Sequence, residues 1–254
     1  MVPTLPAVLV FAGVDPSGGA GIAADILAIA AQGAHALPVV TALTVQDNDR
    51  VFGVQAVAPE LLRRQAQALI DKIAIHAVKI GIPGSAANAA VIADLIGQLR
   101  QARPNLPVVL DPVLASGHGD VLSLDDAVLA LAPLLAVTTV IVPNGPEAVA
   151  LGGAENLRAQ GCEHVLVTGG HGAGDEVINR WRDAAGVERE WCWPRLPGAF
   201  HGSGCTLASA IAARLASGQP LAQALDGAQT YCHAALAGAY AIAPGQFMPQ
   251  RLTD

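Results

Sequence analysis

The sequence predicts an α/β fold: a mostly parallel sheet covered by helices on both faces, with an antiparallel hairpin at one edge. Three observations carry that prediction. Six short apolar runs rich in β-branched residues recur over the first two thirds of the 254-residue chain, Ala-rich stretches at helical spacing separate them, and two alternating polar/apolar segments follow around a Gly turn. Runs that are apolar on both faces read as buried parallel strands, and strands that alternate with helices need crossover connections that cover the sheet.

Taken in order, strands are expected at 7–11, 39–44, 77–80, 108–111, 139–142 and 165–168, with helices at about 21–32, 59–73, 85–102, 123–132 and 145–151 between them. Segments 176–181 and 187–193 alternate polar with apolar and flank Ala185-Gly186, the pattern of an edge hairpin with one wet face. Two long Ala-rich helices, about 203–216 and 220–240, follow. No internal repeat, linker or charge block divides the chain, so residues 1–254 are expected to form a single domain. In open parallel sheets the ligand crevice lies at the carboxyl ends of the strands, which directs attention to the residues just after each one.

Composition narrows the function. With 52% apolar and 14% charged residues the chain can bury a large core, which excludes disorder. The 14 Lys+Arg against 21 Asp+Glu give a net charge of −7, and Lys72 and Lys79 are the only lysines, so neither a nucleic acid nor an anionic membrane is an expected partner. Cys162, Cys192, Cys205 and Cys232 are scattered without a C-x-x-C pair, which disfavours a zinc site or a disulfide framework and suits reduced thiols. The first residues lack a basic segment, and their apolar run ends at Gly13, too early for a signal core or a membrane span. A cytoplasmic protein acting on small molecules is the expectation.

Several of the post-strand segments carry chemistry. Gly13-Val14-Asp15-Pro16-Ser17-Gly18-Gly19-Ala20-Gly21 runs from the first strand into a helix, and its glycines allow close backbone approach to a ligand or, equally, a tight turn. His201-Gly202-Ser203-Gly204-Cys205-Thr206 opens a helix, where a nest of N–H donors suits the charge on a transferred phosphoryl group. The same field is expected to lower the pKa of Cys205, and the plainer alternative is a capped helix with a buried Cys. Asp111, Asn144 and Glu147 offer oxygen ligands suited to Mg²⁺ held largely through water, although Asn144 and Glu147 also have capping-box spacing. Thr168-Gly169-Gly170-His171-Gly172 again permits close approach, with His171 read as structural.

Together these segments resemble the ribokinase-like superfamily, and within it the hydroxymethylpyrimidine/phosphomethylpyrimidine kinases of thiamine biosynthesis. The likeness spans nearly the whole chain. Its most specific pieces are residues 12–25, Thr41-Ala42-Leu43-Thr44-Val45-Gln46, Val78-Lys79-Ile80-Gly81, Asp111-Pro112-Val113, Pro143-Asn144 with Pro146-Glu147, and His201 to Thr206. The resemblance implies a three-layer α/β/α fold and ATP-dependent phosphorylation of 4-amino-5-hydroxymethyl-2-methylpyrimidine and of its monophosphate, with Mg²⁺ as cofactor and a homodimer as the assembly. It places Gly13, Asp15, Gln46 and Val113 around the aminopyrimidine. Gln46 is apt there, since an amide can donate to one ring-edge atom and accept from the exocyclic amine beside it. Cys205 stands where most sugar kinases of the superfamily carry an Asp base, and the N–H groups of Gly202, Ser203, Gly204 and Cys205 form the anion hole. Asp111, Asn144 and Glu147 handle Mg²⁺ and phosphate, with Thr168, Gly170 and His201 near the nucleotide.

The chain departs from that pattern in places. Thr168 replaces a usual Lys, Gly117-His118-Gly119-Asp120 replaces a Lys-Ser-Gly-Asp run, the insert is shortened to Gly152–Glu163, and residues 243–248 replace a Gly/His-rich motif. Phosphate handling is therefore expected to rest on helix N-termini, Mg²⁺ and, as one reading, Lys79, whose plainer role is to brace the sheet end. Pyridoxal kinase, which shares the fold and a flat hydroxymethyl-bearing ring, is the second reading. A catalytically weakened pyrimidine-binding relative is the third.

Overall fold

A computed structural model describes residues 4–115 and 127–252. The Gly117–Asp120 reading and the first part of the expected 123–132 helix lie outside the described residues. The described strands are β1 (Ala7–Val14), β2 (His35–Gln46), β3 (Val51–Ala56), β4 (Ile75–Ile80), β5 (Val108–Leu110), β6 (Val140–Ile141), β7 (His164–Val167), β8 (Glu176–Arg182) and β9 (Glu188–Pro194). They join one nine-stranded sheet in the order β3-β2-β1-β4-β5-β6-β7-β8-β9. Strands β2, β1, β4, β5, β6 and β7 are mutually parallel, while β3 on one edge and β8–β9 on the other run antiparallel.

All six expected parallel strands form, and the 176–193 hairpin is the edge pair β8–β9. The structure adds β3, whose central Gly53 and half-exposed pattern hide it from periodicity. It also extends β2 back through Pro38 to His35. A proline fits because β3 covers only Ala42 to Gln46 of β2, so the earlier part is an open edge.

The helices are α1 (Gly21–Ala31), α2 (Pro59–Ile70), α3 (Ala86–Ala102), α4 (Ala127–Leu135), α5 (Gly145–Ala150), α6 (Gly153–Ala159), α7 (Ser203–Ala216) and α8 (Leu221–Ala237). Helix α6 is not expected from the sequence; its seven residues are too few to show a face. Successive β1 residues point to opposite faces of the sheet. Leu9 and Phe11 join one core with Leu62 of α2, Ile92 of α3 and Leu134 of α4, whereas Val8, Val10 and Ala12 join the other with Ile29 of α1, Ile211 of α7 and Leu225 of α8. The chain leaves β1 toward β2 and returns on the other side as β4, so strand order reverses at β1 and opens a crevice at the carboxyl ends.

Candidate active site

Two glycine turns meet over that crevice. After β1, the Asp15 carboxylate accepts hydrogen bonds from the Ser17 N–H at 2.8 Å, the Ser17 hydroxyl at 3.0 Å and the Ala20 N–H at 2.7 Å, closing the turn that leads into α1. His201 Nε2 lies 2.8 Å from the same carboxylate, so the first turn is tied to the loop before α7. Burial by itself would raise the Asp15 pKa, but the bonds from His201, Ser17 and Ala20 outweigh it and hold the carboxyl below its usual range. Gly202, at φ 74°, precedes α7, and a Cβ there would sit 2.1 Å from the carbonyl oxygen of Gly19. Only glycine lets the turns approach so closely.

Beyond Gly202 no side chain caps α7. Its first N–H groups are therefore left for a ligand, as anion sites require. A Cβ on Gly204 would lie 3.4 Å from Asp111 Oδ1, which places the Asp111 carboxylate opposite the first turn of α7. Arg251, buried although near the carboxyl end of the sequence, fastens this region from behind. Its Nε donates to Thr206 Oγ1 at 2.9 Å, and its Nη2 donates to the carbonyl oxygens of Gly19, His201 and Gly202.

Beneath the turns lies a buried charge cluster. Lys79 Nζ, with no exposure, is 2.9 Å from Asp25 Oδ1, and Ser209 donates to that carboxylate at 2.7 Å. Burial disfavours the Lys79 charge, yet Asp25, Cys205 and Asp111 more than compensate and raise its pKa. Lys79 thus braces the sheet end as the sequence suggested. Burial pushes Asp111 up to about 6 despite Lys79. Burial and the Asp111 charge push Glu147 up to about 7.

Cys205 behaves opposite to expectation. Its thiol is pushed up to about 12 because burial, with Asp111 and Asp25 adding to it, outweighs the attraction of Lys79. The helix terminus does not govern this thiol.

Asn144 and Glu147 form the capping box that their spacing allowed: Glu147 N–H donates to Asn144 Oδ1 at 2.9 Å, and Asn144 N–H donates to Glu147 Oε2 at 2.8 Å. Those two oxygens are occupied by the cap. Asp111 Oδ2, in contrast, is buried without a partner, as an oxygen awaiting a cation or its water would be. No group of three or more His, Cys, Asp or Glu side chains among the described residues is arranged to hold a metal directly. The buried, unpartnered Asp111 oxygen suits a cation held largely through its own water, as Mg²⁺ is.

The Thr168 turn is held by Asn179, whose Oδ1 accepts from the Gly169 N–H at 2.9 Å and whose Nδ2 donates to Gln229 at 2.8 Å. Arg195, after β9, donates to the carbonyl oxygens of Gly170 at 2.7 Å and Gly174 at 2.6 Å. A cation the sequence did not flag thus stands beside the Thr168 turn.

One cavity of about 570 Å³ collects these groups, a volume typical of small-molecule sites. Gly13, Asp15, Gln46, Val113, Asp111, Asn144, Glu147, Thr168, Gly170 and the run His201 to Cys205 all line it, so every site residue singled out from sequence is brought to one place. Lys79, Thr44 and Arg195 line it as well. Lys79 and Thr44 lie inside recognisable sequence motifs, whereas nothing local distinguishes Arg195.

The family model for phosphomethylpyrimidine kinase matches residues 15–250. A hydroxymethylpyrimidine/phosphomethylpyrimidine kinase of Streptomyces coelicolor is 37% identical over 95% of this chain and 93% of its own. The thiamine biosynthesis multifunctional protein ThiED of Corynebacterium efficiens is 36% identical over 94% of this chain, which spans about a third (34%) of that longer protein. Among solved structures, an ADP complex of Bacillus subtilis pyridoxal kinase superposes with a TM-score of 0.86 over 98% of both chains at 24% identity, a likeness of fold.

Proposed function

Because the chain belongs to the phosphomethylpyrimidine kinase family, we propose that it transfers the γ-phosphoryl group of ATP to 4-amino-5-hydroxymethyl-2-methylpyrimidine and then to the resulting monophosphate, giving the pyrophosphate. The observation that carries this reading is the convergence, in one cavity, of the uncapped α7 terminus, the unpartnered Asp111 oxygen and Gln46. The work is done in the cytoplasm, where ATP is abundant; among the described residues no helix is long and apolar enough to cross a membrane. A homodimer would cover Leu43, Val45 and Phe52, which are exposed on the outer side of the β2–β3 edge.

Phosphoryl transfer proceeds through a loose transition state, so positioning and charge stabilisation do most of the work. The N–H groups of Gly202 to Cys205 face the phosphoryl oxygens. Asp111 and Glu147, with Asn144 placed by its cap, would hold hydrated Mg²⁺, which supplies charge neutralisation on the phosphates. Arg195 stands in for the replaced lysine near Thr168, Gly170 and the nucleotide. Gly13, Asp15, Gln46 and Val113 frame the pyrimidine, and His201 holds the Asp15 turn against the anion hole.

A thiol with a pKa of about 12 is protonated at neutral pH and is a poor acceptor for the alcohol's proton. Cys205 therefore serves through its N–H and its packing. The monophosphate, largely ionised at pH 7, has no proton to lose in the second step. Cys205→Ala is expected to slow both steps by a similar factor, under about tenfold, because a loose transfer gains little from a base. A loss confined to the alcohol step, measured by comparing the two substrates, would assign the role of base to the thiol.

The overall assignment is tested by ATP consumption with the hydroxymethylpyrimidine, its monophosphate and pyridoxal. Turnover with both pyrimidines, well above that with pyridoxal, is the expected result; pyridoxal as the better substrate overturns it. Gln46→Leu should weaken pyrimidine binding by about 1–3 kcal/mol, because a buried ring edge loses its partners. An unchanged KM would remove Gln46 from the pocket.

A further inference from the structure

Thr44 and Gln46 alternate along β2 with the outward-facing Leu43 and Val45, so both line the cavity. Thr44 Oγ1 lies 2.8 Å from the main-chain carbonyl oxygen of Val14 and 2.7 Å from Gln46 Nε2. A carbonyl oxygen only accepts, so the single hydroxyl hydrogen of Thr44 is committed to Val14. Toward Gln46, the Thr44 oxygen can then only accept. Nε2 must face it, because the reversed amide would bring two oxygens together with no hydrogen between them. Oε1 and the second Nε2 hydrogen are left for a ligand, in an order set by the main chain of β1 rather than by Gln46 itself.

We propose that Thr44 is a positioning residue that locks the Gln46 amide in one orientation and thereby makes the site select a ring with an exocyclic amine beside an acceptor ring nitrogen. This rests on the reading of Gln46 as the residue that meets the pyrimidine edge. A ring carrying an exocyclic carbonyl in place of the amine would set oxygen against Oε1. Sites built to hydrogen-bond one group reject its mismatch strongly, because their own polar atoms are left unpaired. A pyridine ring nitrogen flanked only by carbon substituents offers the acceptor without the neighbouring donor, so the same device disfavours pyridoxal. Without the Thr44 hydroxyl the amide is free to turn over and meet either pattern.

The test compares kcat/KM for 4-amino-5-hydroxymethyl-2-methylpyrimidine and for its 4-oxo analogue in the parent protein and in Thr44→Val, Thr44→Ser, Thr44→Ala and Gln46→Leu, with thermal melts of each. The parent should prefer the amine, Thr44→Val and Thr44→Ala should reduce that preference at least tenfold, and Thr44→Ser, which keeps the hydroxyl, should stay within about twofold of the parent. Should Thr44→Val fail to fold, Thr44→Ala against Thr44→Ser gives the same contrast. If the valine and alanine variants lose activity equally on both substrates, or keep the parent preference while Gln46→Leu abolishes it, Thr44 does not orient the amide. If Gln46→Leu itself keeps the preference, or the parent shows none, the pocket assignment beneath the proposal fails instead.

Discussion

Lys79→Met is expected to lower the unfolding free energy by about 3–5 kcal/mol, the cost of leaving one partner of a buried ion pair alone. Lys79 and Asp25 have no side-chain exposure, and among the described residues the other hydrogen bond to the Asp25 carboxylate comes from Ser209. Losing the ammonium strands Asp25 and also removes the positive charge that partly offsets the effect of burial on Asp111. Urea unfolding measures the effect, and Lys79→Met combined with Asp25→Leu should recover part of the loss by removing the stranded charge. A single-variant loss below about 1 kcal/mol, the scale of a surface pair, would show that the cluster is not a brace. The sign with pH follows from the raised pKa. The contribution is fully present below the ordinary lysine value and fades as pH climbs through the higher folded value, so the parent should lose an alkaline stability increment that Lys79→Met lacks.

The largest expected loss of activity comes from Gly202→Ala. The added Cβ would meet the Gly19 carbonyl oxygen at 2.1 Å and Ala20 Cα at 2.9 Å, in a left-handed conformation that alanine adopts at a cost. The two turns must separate, and the N–H groups at the head of α7 move with them. Removing one such donor from a preorganised anion site typically costs about 10²–10³ in kcat, so a fall of at least about 10² is expected. Gly218 supplies the control. It has a similar φ of 79°, but a Cβ there meets nothing within 4 Å. Gly218→Ala should therefore carry comparable backbone strain while leaving kcat within about twofold. Equal losses in the two variants would assign the effect to general strain, and an unaffected Gly202→Ala would remove the α7 terminus from the mechanism.

Much of this molecule follows from local pattern. Buried parallel strands need apolar side chains on both faces, so β1, β2, β4, β5, β6 and β7 stand out as β-branched runs, and the hairpin β8–β9 shows its one wet face as alternation. The candidate site was readable for a related reason. Gly13, Gln46, Asp111, Asn144 and Thr168 each sit at or just beyond the carboxyl end of a strand, and parallel topology carries all such ends to one side of the sheet. The capping box of Asn144 and Glu147 is local too, because both partners lie within one helical turn.

What tertiary structure alone decided involves partners remote in the chain or patterns too short to register. Strand β3 and helix α6 give weak periodic signals and exist because neighbouring elements receive them. Arg251 reaches across the fold to Gly19, and Arg195 reaches the Gly170 turn from the end of β9. The orientation of Gln46 depends on the carbonyl of Val14 in a different strand. Cys205 shows the reason most plainly. Its own helix start argues for a lowered pKa, but Asp25 from α1, Asp111 from beyond β5 and the burial that packing imposes raise it to about 12. Sequence order determines which groups open a helix, whereas charge and desolvation act through space, and only the folded chain sets those distances.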